Sequence, residues 1–231
     1  MHMVEEQKMS VDEFKLNYPK LSEVLSEWCG TEENENLAIC HAFTLYEYKK
    51  NITSGNAAYE IDNMNREFDY IEHMYSAHPY VFYQQARILK ELRQDHIIGD
   101  EYNHLIKSNY DSCLMMINSP SFAQIKNTRT YPSILWIYAM FLLSSNSLEP
   151  ASHYADDAVK NFERLSIKGS DYDDALLIYG IAEIGLFALN LDKNHLKNAR
   201  NVAKKFEKKK CFPKNVQVHY DQLTQEIAKY N

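Results

Sequence analysis

ILWIYAMFLL, residues 134–143, is the longest apolar run of the chain and decides its fold. Ten apolar residues are too few to cross a bilayer, which takes about 20. A helix that is apolar on all sides is instead buried among other helices of a protein interior. The run therefore predicts a buried central helix on which the neighbouring segments pack.

The segments after this run repeat a helical pattern. Trp136, Ala139 and Leu143 recur 43 residues later as Tyr179, Ala182 and Leu186, and Ala155, Val159 and Phe162 recur 44 residues later as Ala199, Ala203 and Phe206. The repeat predicts one helical pair at residues 132–146 and 150–166, and a second pair at 173–190 and 193–209. A two-helix period of about 20 to 50 residues is typical of helical arrays, in which each pair buries its apolar face on the next. Tyr83 and Ala86 mark a third, less regular copy.

These positions resemble the tetratricopeptide-repeat (TPR) family. Its first helix carries an aromatic residue, a small residue three positions later and an apolar residue further on, as Trp136, Ala139 and Leu143 do. The chain departs from the family at Met140 and Glu183, where the family has glycine, and its period of about 44 exceeds the family's period of about 34. The resemblance covers roughly residues 132–209 and implies a right-handed array used for protein binding.

The rest of the chain predicts more helices of the same kind. Prolines and glycines stand where apolar periodicity starts or stops, and no strand-like alternation competes with it. We expect an all-α array of antiparallel helical pairs, a TPR-like α-solenoid of about ten helices. Residues 1–231 would form one helical-repeat domain with a hinge at 119–131, where Ser119–Thr130 is the longest candidate loop. Gly180 and Gly185 lie inside a predicted helix, which indicates close approach of a neighbouring helix.

The composition indicates in which cellular compartment the protein works and which kinds of partner it can bind. The formal net charge is −7, with −9 in residues 1–75 and +2 in the remainder. Such a balance disfavours general binding to nucleic acid, which needs concentrated positive charge. The start of the chain has neither the basic nor the apolar part of a signal peptide, and the four cysteines are far apart, so we expect reduced thiols, a cytoplasmic protein and no membrane association.

Three patterns suggest chemistry, and each has a simpler explanation. Glu101-x-x-His104 and Asp192-x-x-His195 have the spacing of carboxylate-bridged metal sites, but such a site needs two further glutamates. The acidic residues of 171–174 precede a helix, where acids cap backbone N–H groups. No phosphate loop, serine elbow or zinc motif is present. We therefore expect no catalytic residues, no metal and no cofactor; the protein is not predicted to be an enzyme.

One helix carries a row of cations, which we call the basic stripe. Its members fall at steps of four, three, four and four residues: Lys193, Lys197, Arg200, Lys204 and Lys208. The stripe is explained either as an ordinary solvated helix face or as a binding surface for an acidic partner segment or nucleic acid. It also fits the acidic first third of another copy, which would give head-to-tail self-association.

A second candidate surface lies on the central helix, where Ile137, Tyr138 and Phe141 project away from the Trp136–Leu143 stripe. Either a neighbouring helix covers these residues or they line a groove for a peptide. The leading hypothesis is a non-catalytic protein-protein interaction module, such as an adaptor, chaperone-like or regulatory protein, that binds a partner in this groove or on the basic stripe. The alternative is a helical sensor with an aromatic-lined pocket for a small molecule or peptide, since the chain has 17 tyrosines.

Overall fold

The structure, a computed structural model, describes residues 10–28, 32–75, 77–207, 209 and 212–230. Within these ranges it contains eleven α-helices, three short 3-10 helices and no strand. The prediction of an all-α protein is confirmed. The chain divides into two compact units, Met1–Ile125 and Lys126–Asn231. The division falls inside residues 119–131, while the single domain and its hinge stay predictions.

The first unit contains six α-helices. They are α1 (Val11–Asn17), α2 (Leu21–Trp28), α3 (Glu33–Tyr48), α4 (Ala57–Met74), α5 (Pro79–Gln94) and α6 (Asn103–Ile117). Helix α3 packs on α1, α2, α4 and α5, and α5 packs in turn on α4 and α6. A turn and the 3-10 helix Asp100–Tyr102 connect α5 to α6.

The second unit contains the predicted helical pairs and a final helix. They are α7 (Thr130–Ser144), α8 (Leu148–Arg164), α9 (Ser170–Asn190), α10 (Lys193–Phe206) and α11 (Lys214–Ala228). Helix α9 packs on each of the other four. Ala139, Ala155 and Ile178 form one buried cluster, so small residues of the repeated pattern lie where α7, α8 and α9 meet.

Local sequence explains where several helices begin. Ser10 and Glu13 form a reciprocal capping box at α1, in which the Ser10 N–H donates to Glu13 Oε2 at 2.8 Å. At α10, Asp192 Oδ1 accepts the N–H of Asn194 at 2.9 Å. Pro79 opens α5, as expected for a residue whose missing N–H is not needed in a first turn.

Two local expectations were wrong. Most of the predicted loop 119–130 is a 3-10 helix, Pro120–Asn127, whose Ile125 is fully buried. A helix with three residues per turn lacks the 3.6-residue periodicity of an α-helix, so an α-helical pattern does not predict it. The acids of residues 171–174 lie in the first turns of α9, which begins at Ser170, and no side chain caps this helix. Asp171 pairs with Arg129 at 2.6 Å and Asp173 pairs with Lys209 at 2.6 Å instead.

Two of the four cysteines lie in the described ranges. Cys40 and Cys113 are buried free thiols, and burial raises the pKa of Cys40 to about 12. Such a thiol is almost entirely protonated at neutral pH and packs as a small apolar side chain. Cys29 and Cys211 lie outside the described residues.

Candidate functional site

A groove of about 490 Å³ lies along the basic stripe in the second unit. The end of α9, the turn into α10, the outer face of α10 and the end of α11 form it. Its apolar part is made by Phe187, Leu191, Leu196 and Tyr230, and its polar part by Lys193, Lys197, Arg200, Asn201 and Lys204. We call this surface the α9–α11 groove.

The amphipathic pattern of α10 sets the cations on this surface. Ala199, Val202, Ala203 and Phe206 are buried against the unit. Because helical residues three and four apart share a face, the lysines between them point outward, and Lys193, Lys197 and Lys204 are exposed. The predicted stripe is thus one continuous face from Lys193 to Lys204, and Lys208 lies outside the described residues.

Most of these cations have no counterion. Within the described residues, Lys193, Lys197 and Lys204 form no hydrogen bond or ion pair. Arg200 is held in place, since its Nη2 donates to the carbonyl oxygen of Tyr230 at 3.2 Å. Lys209 differs from these three lysines because its ammonium pairs with Asp173 of α9. The groove thus combines one anchored guanidinium with three ammonium groups that have no partner among the described residues.

The apolar part of the groove is unusually exposed at one residue. Leu191 is 69% exposed and sits at φ 60°, in the left-handed region that leucine rarely adopts. Its neighbour Leu189 is 73% exposed. Beside them, the rings of Phe187 and Tyr230 meet edge to face with centroids 5.0 Å apart. The left-handed conformation ends α9 as it ends α5, α7 and α8, so the unusual feature here is the exposed leucine side chain.

Buried carboxylates fix the helices that frame the groove. Glu183 of α9, 3% exposed, accepts hydrogen bonds from Ser152 Oγ at 2.6 Å and Asn198 Nδ2 at 2.6 Å, and contacts His195 Nδ1 at 3.1 Å. These partners come from α8 and α10. Three polar partners satisfy the buried carboxylate, which favours a single placement of α10 on α9.

A similar arrangement holds α11. Asp174 of α9, 2% exposed, accepts from Asn215 Nδ2 and contacts His219 Nδ1 at 2.9 Å. Each buried acid of α9 therefore meets a histidine and an asparagine of a later helix. His195, which sequence spacing paired with Asp192, is bound to Glu183 instead.

The other sequence candidates do not join this site. Tyr138 and Phe141 are buried, with 1% and 2% exposure, while Ile137 is half-buried. The rings of Tyr138 and Phe141 stack on each other, with centroids 6.3 Å apart. Burial favours the explanation in which neighbouring side chains cover them over the one in which they line a groove.

The first suggested metal pair is also occupied locally. His104 Nδ1 lies 2.8 Å from the backbone oxygen of Glu101, and the Glu101 side chain accepts the N–H of Gly99 at 3.3 Å. Among the described residues, no group of three or more His, Cys, Asp or Glu side chains is placed to hold a metal ion.

Sequence reasoning missed the apolar half of the groove. Phe187, Leu191 and Tyr230 belong to three separate elements, so no single helical pattern brings them together. The available signal was Leu189 and Leu191, two leucines directly before the acidic cap Asp192 at a point where the helix must end.

No family model, curated protein or solved structure matches the chain. Across the part of the chain that the structure describes, no helix combines the length and the apolar character that crossing a bilayer requires.

Proposed function

We propose that this protein is a non-catalytic interaction module that binds an acidic, partly apolar segment of a partner protein in the α9–α11 groove. The observation that carries the proposal is the pairing of exposed Leu191 with unpaired Lys193, Lys197 and Lys204 on one surface. A peptide with leucines on one side and carboxylates beside them would fill both parts. Recognition of this kind gains affinity from apolar burial and speed from charge.

The packing order supports a TPR-like array of helical pairs. In the second unit each helix packs on the next, and α7, α9 and α11 also pack on one another in sequence. The first unit repeats this order, because α3, α4, α5 and α6 pack consecutively and α3 also packs on α5. When helical pairs stack into an array, the first helix of each pair is expected to contact the first helix of the next pair.

The local charge supports an acidic partner. Residues 193–214 contain nine Lys or Arg and one acid, in a chain whose net charge is −7. Nucleic acid is a less suitable partner because the stripe is a single line beside exposed leucines, and phosphate backbones offer leucine no apolar surface. The acidic first third of a second copy has the required charge, so self-association is one form that the interaction can take.

A second candidate function, a sensor with an aromatic-lined pocket, is favoured by the interior of the first unit. Trp28 contacts the rings of His78, Tyr80 and Tyr83, and Tyr83 contacts Tyr110. His78 Nε2 is buried without a hydrogen-bond partner among the described residues. Unpaired buried polar atoms are sites where a bound water or a polar ligand group is accommodated.

The leading proposal is tested with three purified baits in native lysate. They are the wild type, a groove variant with Lys197, Arg200 and Lys204 changed to Glu, and a control variant with Lys168, Lys205 and Lys214 changed to Glu. All three control positions are exposed lysines of the second unit outside the groove, and the net charge changes equally in both variants. Matched far-UV circular dichroism and melting temperatures establish that both variants fold.

We expect the wild type and the control to retain the same protein and the groove variant to lose it. Cross-linking should then map the contact to an acidic segment, and a synthetic peptide of that segment should compete. A further variant, Leu191→Asn, keeps a residue that tolerates the left-handed backbone while removing the apolar side chain, and should weaken peptide binding about 10-fold. Equal retention by all three baits, or retention abolished by nuclease, contradicts the proposal.

A further inference from the structure

The outer side of α4 in the first unit carries exposed apolar residues. The inner side of this helix buries large apolar residues at steps of three and four: Ile61, Met64, Phe68 and Ile71. The residues between them point outward. Among these, Tyr59, Tyr70 and Met74 are 65%, 39% and 53% exposed. They follow one another at steps of eleven and four residues, which are close to whole helical turns, so they share one face.

The same helix is strongly acidic. It contains five Asp or Glu and one Arg, so its formal net charge is −4 with histidine counted as neutral. Arg66 lies 3.5 Å from Asp62, and Asp69 has no hydrogen-bond or ion-pair partner among the described residues. Lys49 and Lys50, the cations just before the helix, are each paired with a glutamate. The α4 face, as we call it, consists of two exposed aspartates and three exposed apolar residues: Tyr59, Asp62, Asp69, Tyr70 and Met74.

The α4 face is complementary to the α9–α11 groove. The groove sets lysines that have no partner among the described residues beside exposed leucines, and the α4 face sets aspartates beside exposed apolar side chains. Nine large apolar side chains are exposed in the described residues, and six of them lie on or beside these two surfaces. Exposed apolar side chains rimmed by charged ones mark interaction sites. Both surfaces of one chain thus have the chemistry of a contact, with opposite charge.

We propose that the α4 face of a second copy of this chain binds in the α9–α11 groove. The inference rests on the proposed function and names the partner at that site. Helix α4 has 18 residues and α10 has 14, so they are about 27 Å and 21 Å long, and α4 can lie along the whole basic stripe. Each copy offers one α4 face and one groove, so the contact is heterologous and the assembly can grow beyond a dimer.

The spacing of the charges allows two ion pairs to form at once. Asp62 and Asp69 are seven residues apart on α4. Lys197 and Lys204 are also seven residues apart on α10, so each pair spans about 10.5 Å along its helix. An antiparallel arrangement sets Asp69 opposite Lys197 and the other aspartate opposite the other lysine. Met74, five residues beyond Asp69, then reaches the leucine end of the groove.

Arg66 limits the strength of this contact. In the antiparallel arrangement it faces Arg200 of the groove, and the two like charges repel. Each guanidinium is already held within its own copy, by Asp62 in one case and by the carbonyl oxygen of Tyr230 in the other. We therefore expect weak, reversible association with a Kd of about 10 µM. Replacing the repelling charge in Arg66→Gln should tighten the association about threefold.

The test is sedimentation velocity of the full chain at about 1 to 200 µM, a range that brackets the expected Kd, in about 50 mM NaCl. The sedimentation coefficient of the wild type should rise with concentration. Two variants each disable one surface: the groove variant defined above, and an α4 variant with Asp62→Asn, Asp69→Asn and Met74→Gln. Both should sediment as monomers.

Mixing the two variants in equal amounts gives a sharper result. The α4 variant keeps its groove and the groove variant keeps its α4 face, so the mixture should form a 1:1 dimer and nothing larger. A control variant with Glu23→Gln, Asp95→Asn and Met115→Gln makes the same kinds of change at exposed positions of the first unit outside α4, and it should associate like the wild type. Matched circular dichroism and melting temperatures establish that all variants fold.

The inference is overturned if the wild type stays monomeric over this range, if either variant alone associates like the wild type, if their mixture does not dimerise, or if Arg66→Gln weakens association. The lysate experiment separates such a failure from a failure of the proposed function, because the α4 variant has an intact groove. A lysate protein retained by the wild type and the α4 variant but lost by the groove variant, with no self-association, would show that the groove binds a different protein.

Discussion

His78 shows how one buried side chain can set the pH range in which a protein is stable. Its Nδ1 accepts the N–H of Tyr80 at 3.1 Å and so caps α5. Its Nε2 is buried without a partner among the described residues. Burial lowers the pKa of His78 to about 4, and the pKa of the buried residue His41 is lowered for the same reason.

The pKa of His78 predicts acid destabilisation within a defined window. An unfolded histidine titrates near pH 6.5, so between pH 6.5 and pH 4 the unfolded chain binds more protons than the folded one. Stability should be complete above pH 6.5 and fall by up to about 3 kcal/mol as the pH drops to 4. Urea unfolding of the wild type and of His78→Asn, which keeps a capping side chain, at several pH values measures this.

The matched control is His73→Asn, since His73 is exposed on α4. It should keep the wild-type slope of unfolding free energy against pH, and His78→Asn should flatten it. An unchanged slope in His78→Asn would show that other groups govern the acid limb.

At this scale the sequence indicated which residues are polar but not which polar residues are buried. Lys90 looks like an ordinary solvated residue, one turn after Arg87 on an amphipathic helix. The available clue was its position four residues after Ala86, on the apolar stripe of α5. Tyr46 and Lys49 come from a distant segment, so only the packing of α3 on α5 reveals that they contact Arg87 and Glu91.

At the scale of helices, Gly180 governs how closely three of them pack. A Cβ at this position would lie 3.0 Å from Leu223 Cδ2 and 3.0 Å from Val202 Cγ1. Those atoms belong to α11 and α10, so the glycine lets both helices approach α9. The close approach expected from a glycine inside a helix is present here.

Enlarging Gly180 should separate these helices. We expect Gly180→Ile to lower the unfolding free energy by about 2–3 kcal/mol and the melting temperature by roughly 10 °C. Ala188→Ile adds the same side chain on an exposed turn of α9 and should cost far less. Thermal unfolding followed by circular dichroism measures both losses, and equal losses would show that crowding at position 180 is not responsible, since isoleucine is a better helix former than glycine.

Helix positions were predictable where apolar periodicity is strong, and helix ends were less so. The predicted starts of α7 to α10 lie within three residues of those observed. Four helices end with non-glycine residues in the left-handed region, His96, Asn146, Ser166 and Leu191, at φ 56–60°. Bonds such as Ile167 N–H to Phe162 O at 2.9 Å close these ends. Because no glycine marks these positions, the sequence does not predict that the helices end there.

On the scale of the whole molecule, the charge distribution predicts how partner binding depends on salt. Residues 1–75 carry −9 and the remainder +2, so the positive stripe is a local feature of an acidic protein. Exposed charges act over about 8–10 Å at physiological salt and over much less in concentrated salt. The groove therefore should speed association with acidic segments mainly at low ionic strength.

We expect the association rate of an acidic, leucine-containing peptide to fall about 10-fold between about 50 and 300 mM NaCl, with a smaller change in dissociation rate. Stopped-flow fluorescence with a labelled peptide measures both rates. The Lys197, Arg200 and Lys204 variant should be slow at every salt concentration, and the Lys168, Lys205 and Lys214 variant should follow the wild type. A rate insensitive to salt would show that the lysines do not guide binding.

The class of fold was predictable from the sequence because every strong pattern in it is helical. The basic stripe was predictable for the same reason, since its members share one helix. The complete α9–α11 groove was not predictable, because its apolar part combines the ends of α9 and α11 with the turn at Leu191. What the sequence leaves open is how distant elements meet.

The position of α9 bears on how the second unit unfolds. An ideal array can fray from its ends, because each pair touches only its neighbours. Here one helix touches all four others in its unit. Melting α9 removes a packing surface from every remaining helix, so the unit loses its structure in one cooperative event. The backbone amides of α9 should accordingly be among the last in the unit to exchange with heavy water, through global rather than local opening.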